Sequence, residues 1–400
     1  MNISELGEFP LIKRLTKDIQ IYHPKETIEG VGDDAAILAI PAAQTAATNV
    51  SPDTPTHNSN ATIVQPAATT NAPPNPPPHN SNATAIQTAA TTNKSPDKAG
   101  NLQVVTTDLL VENIHFDLTY VPLKHLGYKA VAVNLSDVCA MNATPKQITV
   151  SIAVSSRFTV EALEELYAGI KLCCNRYRVD FVGGDTTSST AGLIISVTAL
   201  GTVSANAVTK RSTAKENDII CVSGDLGAAY AGLQLLEKEK RHFLANPNMQ
   251  PDFEDFSYVL ERQLKPEPRT DIIELLEKLK VVPTSMIDIS DGLSSEILHI
   301  AEASQTGAAI YESKIPIDPE TYKALEPFNI MPLTAALNGG EDYELLFTVS
   351  QNDYPKIETI LDKVRPIGHI TEQAAGCNLV PDNGTLIPLS AQGWQSFGSN

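Results

Sequence analysis

Apolar and polar positions alternate strictly in several stretches of this chain. KQITVSIAVS (146–155) and GLIISVTALGTV (192–203) place an apolar residue at every second position, the period of a half-buried strand. DDAAILAI (33–40), LQVVTTDLLV (102–111) and VDFVGGD (179–185) read as strands as well, by β-branched content and flanking turn residues. LKHLGYKAVAVNLSDVCAMNA (123–143) and TVEALEELYAGIKLCCNRY (159–177) have helical spacing, and the second carries its acids early, where they suit the helix dipole. A second block begins near residue 205. NDIICVSG, VPTSMIDIS, AAIYESK and YELLFTVS read as strands. DLGAAYAGLQLLEKEKRHF, DFSYVLERQL and RTDIIELLEKLK read as helices, with a polar loop expected over 240–256. The pattern predicts an α+β fold in two blocks, 1–205 and 206–400.

One segment breaks the pattern. Residues 41–100 are rich in Ala, Thr, Asn and Pro, and HNSNAT occurs at 57 and again at 79. Such a composition does not bury enough apolar area to offset its ordering entropy, so a disordered insertion is expected. It interrupts a connection between two strands. Closure entropy grows only logarithmically with loop length, so the strands are still free to pair.

A net charge of −18 argues against nucleic acid or an anionic membrane as the main partner, since both select a basic face. The N-terminus lacks an apolar signal region, and no apolar stretch reaches the length of a membrane span. Five cysteines without a CxxC pair favour buried thiols in a reducing cytoplasm over a disulfide framework or a zinc site.

The acids form the most informative set. Asp33 and Asp34 (VGDDAAIL), Asp108 (VVTTDLL), Asp137 (AVNLSDVCAM), Asp185 (DFVGGDTTS), and Asp288 and Asp291 (MIDISDGL) lie at or near the edges of apolar runs. Singly, each has a plain explanation. Asp291 suits an N-cap, Asp185 a turn, and Asp34 an acceptor for backbone N–H groups. Asp137 is harder to explain so, because it sits inside an apolar helix and needs a partner there. If the acids converge, their repulsion demands cations. An all-oxygen set suits Mg²⁺ or Ca²⁺, and the lack of an EF-hand loop favours Mg²⁺, which bridges carboxylates to phosphates. Nucleotide-dependent phosphoryl transfer follows as the expectation. No P-loop and no GxGxxG after a strand is present. Arg211, in VTKRSTA, is the basic residue best placed to reach a phosphate, with a solvated loop arginine as the plain alternative.

In their order along the chain, GEFPLI (7–12), GVGDDAAIL, TTDLLVENIHF, NLSDVCAMNATP, VGGDTT, TKRS, SGDLGAAYAGL, LKPEPR, DISDGL, GGEDYELLF (339–347) and a terminal GW (393–394) give a further lead. The sequence resembles the thiamine-monophosphate kinase family of the AIR-synthase-like superfamily, over nearly the whole chain except 41–100. The resemblance implies a two-domain architecture, with an N-terminal domain bearing dimer-forming strands, and a cytoplasmic homodimer. It implies ATP as co-substrate, thiamine monophosphate as acceptor, several Mg²⁺ ions and direct transfer with no covalent enzyme intermediate. Mg²⁺ ligands are implied at Asp34, Thr106, Thr107, Asp108, Asp137, Asp185, Asp288 and Asp291. ATP contacts are implied at Gly184, Asp185, Arg211 and Ser290, and substrate contacts at His115, Glu341 and Trp394. The chain departs from the pattern in its insertion and in Asn142, Thr213 and Asn217, which stand where glycine is common. Other enzymes of the superfamily and a catalytically silent Mg-nucleotide binder are the alternatives. A selenophosphate synthetase would need a reactive cysteine near the N-terminus, and the first cysteine here is Cys139.

Overall fold

Strand β1 (Thr27–Glu29) starts a sheet that continues through β2 (Ala36–Ala39) and β3 (Asn101–Val111). Helix α1 (Leu123–Ala140), β4 (Thr144–Val154), α2 (Val160–Tyr177), β5 (Asp180–Ser188) and β6 (Leu193–Ser204) complete the first half. The computed structural model describes residues 25, 27–29, 33–40, 100–248 and 253–392. The expected disorder of the insertion, and the markers at 7–12 and 393–394 with Trp394, lie outside the described residues.

The sheet order is β1-β2-β3-β6-β4-β5. Every pair is antiparallel except β4–β5, which α2 joins as a parallel crossover. Alternation sets the faces. Leu193, Ile195, Val197, Ala199 and Val203 of β6 are buried toward the helices, and the residues between them face the other way. Helix α1 lies against β3, β4 and β6 and against α2. It is buried along nearly its whole length, which explains why its sequence is apolar all round. Asn142 takes up a left-handed conformation (φ 56°) just after it, and its Nδ2 donates to Ala207 O at 2.8 Å. An asparagine thus serves where glycine is common.

The second half holds β7 (Ile219–Ser223), α3 (Ala228–Ala245), α4 (Ser257–Leu264), α5 (Thr270–Leu279), β8 (Ser285–Asp288) and α6 (Leu293–Ser304). It continues with β9 (Gly307–Tyr311), α7 (Pro319–Leu325), α8 (Pro332–Asn338), β10 (Leu345–Val349), α9 (Tyr354–Ile357), β11 (Val364–Thr371), β12 (Cys377–Val380) and β13 (Ile387–Pro388). The strands form one sheet in the order β13-β12-β9-β11-β7-β10-β8. Its central strands are buried on both faces, between two apolar clusters. Cys139 and Ala140, from the last turn of α1, belong to one of them. One helix therefore enters the cores of both halves.

The polar loop expected from residue 240 begins later, because α3 runs to Ala245. Lys240 pairs with Asp117 at 2.7 Å and lies 3.5 Å from Glu237, and His242 lies 3.4 Å from Glu239. The charged run is the solvated face of a helix, which composition alone does not separate from a loop.

Gly127 on α1 and Gly169 on α2 let the two helices touch backbone to backbone. A Cβ at Gly169 would lie 1.9 Å from Lys124 O, and one at Gly127 would lie 2.0 Å from Leu166 O. Gly169→Ala is expected to lower the unfolding free energy by about 3 kcal/mol, since neither helix backbone is able to yield. Gly100→Ala, in open space, is expected to stay within about 0.5 kcal/mol of the parent. Urea denaturation of both variants checks the difference.

Candidate active site

Three carboxylates from distant parts of the chain meet where the two halves adjoin. Asp34 precedes β2, Asp137 lies on α1, and Asp288 ends β8. One oxygen of each lies within 4.8 Å of the others. Each is held by a separate partner. Thr106 Oγ1 donates to Asp137 Oδ2 at 2.6 Å, and Ser136 Oγ donates to Asp288 Oδ2 at 2.5 Å. Arg211 Nη2 donates to Asp34 Oδ1 at 2.6 Å. Asp34 Oδ2 is buried and has no hydrogen-bond partner among the described residues. An orphaned carboxylate oxygen beside two more carboxylates fits a hard divalent cation.

The backbone around each acid explains its placement. Asp108 N donates to Asn134 Oδ1 at 3.0 Å, which fixes the end of β3 against α1. Arg211 O accepts from Ser285 Oγ and Ser304 Oγ, at 2.9 and 3.0 Å, and Arg211 N donates to Asp33. Beyond β8, Asp291 N donates to the buried Glu296 at 2.8 Å, and Gly292 (φ 109°) supplies a left-handed turn into α6. The GGEDY loop is laced to that turn: Glu341 N donates to Ser290 O at 2.7 Å, and Tyr343 N donates to Ile289 O at 2.9 Å.

Electrostatics follow from this crowding. Burial raises Asp137 well above the usual carboxylate range, and Asp108, Asp288 and Asp34 push it the same way. Asp34 is raised well above that range by burial and by Asp288 and Asp33, against the pull of Arg211. Asp288 is raised by burial, with Ser136 opposing. Asp108 is pushed up to about 6 by burial and by the charge of Asp288.

A cavity of about 540 Å³ opens beside the cluster, lined by Asp108, Ser290 and Asp291 at one side and by His115, Glu341 and Tyr343 among others. Val111 N donates to His115 Nδ1 at 3.0 Å, so in the neutral ring Nε2 carries the proton and is the donor.

Two expected contributors stand apart within one chain. Thr107 follows Thr106 in β3, so its side chain faces the opposite side of the sheet, where it donates to Val197 O at 3.0 Å. Asp185 is exposed on the edge strand β5, and its Oδ1 accepts from Thr186 N. Three strand spacings separate β5 from β3, roughly 14 Å. The register runs from Asp185 through Ser151 and Ser196 to Leu109, which is exposed on that same outer face. Gly184 has a packing reason for being glycine, since a Cβ there would lie 1.7 Å from Val150 O.

Sequence reasoning passed over Asn134, Ser136 and Glu296. The signal was present: Asn134 and Ser136 are polar residues in the same apolar helix as Asp137, and both are fully buried.

Residues 88–203 match the model for the N-terminal domain of AIR synthase related proteins, and residues 215–376 match the model for the C-terminal domain. The fold and the pair of domains define a member of the AIR-synthase-related class. Within it, the chain is 34% identical over 304 residues to the thiamine-monophosphate kinase of Bacillus subtilis (strain 168), covering 75% of this chain and 90% of that protein. A structure described as AaThiL complexed with AMPPCP and TMP superposes with a TM-score of 0.71 at 26% identity, over 99% of this chain and 98% of that one. The thiamine monophosphate kinase from Aquifex aeolicus gives a TM-score of 0.60 at 31% identity, over 72% and 90%. The chain belongs to the thiamine-monophosphate kinase family.

The raised pKa of Asp108 sets a pH dependence. The unfolded carboxyl ionises near pH 4 and the folded one near 6, so the folded state binds the proton more tightly. Its stabilising contribution is present below about pH 4 and is lost as pH rises through about 6. In EDTA, wild type is expected to lose on the order of 1–2 kcal/mol relative to Asp108→Asn between pH 4.5 and 7.5. Paired denaturant titrations at the two pH values measure it.

Proposed function

We propose that this protein transfers the terminal phosphoryl group of ATP to thiamine monophosphate, giving thiamine diphosphate. The observation that carries the reading is the convergence of Asp34, Asp137 and Asp288 beside a cavity that His115 and Glu341 line. The relatives named as thiamine-monophosphate kinases support the same reading, as does the related structure described with AMPPCP and TMP.

The reacting nucleophile is a phosphate oxygen of thiamine monophosphate. With a second pKa near 6, a phosphate monoester is largely dianionic at neutral pH, so no strong general base is required. The chain's task is to position two anions and exclude water. His115 Nε2 donates to the acceptor phosphate, Arg211 reaches toward ATP phosphates, and Ser290 and Gly184 contact the nucleotide. Asp34, Asp137 and Asp288 would hold Mg²⁺, with Thr106, Asp108 and Asp291 beside them. When bound, Mg²⁺ neutralises phosphate charge and favours in-line transfer. Trp394 joins Glu341 as a substrate contact.

The reading includes a homodimer joined through the first-half sheets. Leu109 is exposed on the outer face of β3 and Val182 on the edge strand β5, apolar surface of the kind a second copy covers. Asp185 and Thr107 lie on that outer face, so their metal and nucleotide roles go with the dimer. A division into domains near residue 205 agrees with sheets that end at Ser204 and begin at Ile219. A cytoplasmic location agrees with five free thiols, and no described helix is long and apolar enough to cross a membrane.

Asp137→Asn is expected to reduce thiamine diphosphate formation at least 100-fold, with the circular dichroism spectrum unchanged. Product is read by oxidation to the fluorescent thiochrome. Activity within a fewfold of wild type, or ATP turnover indifferent to thiamine monophosphate, would overturn the reading.

A further inference from the structure

Lys129 is buried on α1, in an otherwise apolar stretch, and lines the cavity. Its Nζ lies 2.7 Å from Glu341 Oε1 and donates to Gln263 O at 3.1 Å. Gln263, buried at the end of α4, donates from Nε2 to Glu341 Oε2 at 2.7 Å. Only the amide nitrogen is able to face a carboxylate, so the amide orientation is fixed. Its Oε1 is left buried without a partner among the described residues. Glu341 itself sits at φ 59°, between Gly340 at 72° and, two residues on, Tyr343 at 52°. A strained residue persists where its surroundings over-determine it. Here three elements converge to clamp one carboxylate, at the expense of an unsatisfied acceptor. Stability alone does not account for that.

We infer that Lys129 and Gln263 are positioning residues that aim Glu341 at the exocyclic amine of the substrate's pyrimidine ring, and so set specificity for an aminopyrimidine. This rests on thiamine monophosphate occupying the cavity. A carboxylate has about four acceptor sites, and the clamp uses one on each oxygen. Glu341 remains 30% exposed, so acceptor capacity is left for a ligand. Lys129 cancels its charge, which removes net attraction for the cationic thiazolium. What remains is directional acceptance, and the exocyclic amine is the group that donates. Helix α1 also sets the spacing. Lys129 and Ser136, which holds Asp288, are seven residues apart on one face, about 10 Å along the axis. Pyrimidine, thiazolium and phosphate in a row suit that span.

The test compares thiamine monophosphate with the analogue whose exocyclic amine is replaced by a carbonyl. Wild type is expected to prefer the amine by about 100-fold or more in kcat/KM. Lys129→Met is expected to raise KM for thiamine monophosphate about tenfold and cut that preference at least tenfold, with KM for ATP within twofold. Gln263→Met leaves the ion pair in place and is expected to shift the preference the same way. It carries the test if Lys129→Met does not fold. A preference unchanged in the folded variants, or a loss equal for both acceptors, overturns the inference. A wild type that forms no thiamine diphosphate sinks the kinase reading itself, before any variant is compared.

Discussion

Mutual repulsion among Asp34, Asp137 and Asp288 is the constraint around which this structure is arranged. At an effective dielectric constant of about 20, two negative charges at the 4.8 Å limit within which these oxygens lie repel by roughly 3–4 kcal/mol. No single local element carries that load. Arg211 balances Asp34, Ser136 bonds to Asp288 and Thr106 bonds to Asp137, and burial raises the proton affinity of all three acids. The fold thus stores unfavourable energy at the point where its two halves adjoin. Such storage is what a cation site requires, because a set of acids relaxed by its own lysines would have nothing to gain from a metal.

Helix α1 makes the arrangement possible. Asn134 and Asp137, three residues apart, turn toward β3 and reach Asp108 and Thr106. Lys129 and Ser136, seven apart, turn toward the second half and reach Glu341 and Asp288. One buried helix therefore reads both halves at once. Its close seat against α2, through Gly127 and Gly169, fixes the depth at which these side chains emerge. The absence of a polar face on α1 is a consequence of that position: beyond the first turn every side is an interface, and Lys129, Asn134, Ser136 and Asp137 are each committed to a partner.

This explains what the sequence disclosed and what it withheld. The strands with strict alternation, β4 and β6, and the amphipathic α2 announce themselves, because one face meets a core and the other does not. Asp137 and Asp288 are conspicuous for being acids in apolar runs. Asn134, Ser136 and Lys129 stand out only as polar residues in an apolar helix, and what they and Gln263 hold lies far along the chain. The bond from Ser136 to Asp288 spans 152 positions, and that from Gln263 to Glu341 spans 78. One misread boundary, at 240–245, is a helix whose last turns face solvent; another is AAIYESK, where the strand ends at Tyr311 and a 3₁₀ turn follows. Short strands such as β12 and β13 leave too few positions for a period to appear. Asp185 is a separate case. Its context suits a turn, whereas it lies within β5, and strand order in the sheet, invisible to local pattern, decides how far it lies from β3.

The GGEDYE segment shows how one short run serves two ends. Glu341 faces the cavity. Asp342, pushed up to about 7 by burial against the pull of Arg262, accepts from Gly227 N at 2.7 Å and Ala229 N at 3.3 Å, at the start of α3. Glu344 is buried too, but Arg269 and Arg262 outweigh burial and hold it below the usual glutamate range. Arg262 Nη1 donates to it at 2.8 Å, while Arg269 Nε and Nη2 grip Asp271 at 2.9 Å each. The KPEPR turn that carries Arg269 lines a different cavity from the one beside the carboxylate cluster. Its arginine nonetheless pairs with Glu344, just before β10, and so ties down the loop that carries the left-handed backbone of Glu341. A segment that composition marks as a linker between α4 and α5 thereby fixes the position of a side chain in the substrate cavity, through an ion pair that is satisfied only when both elements are in place.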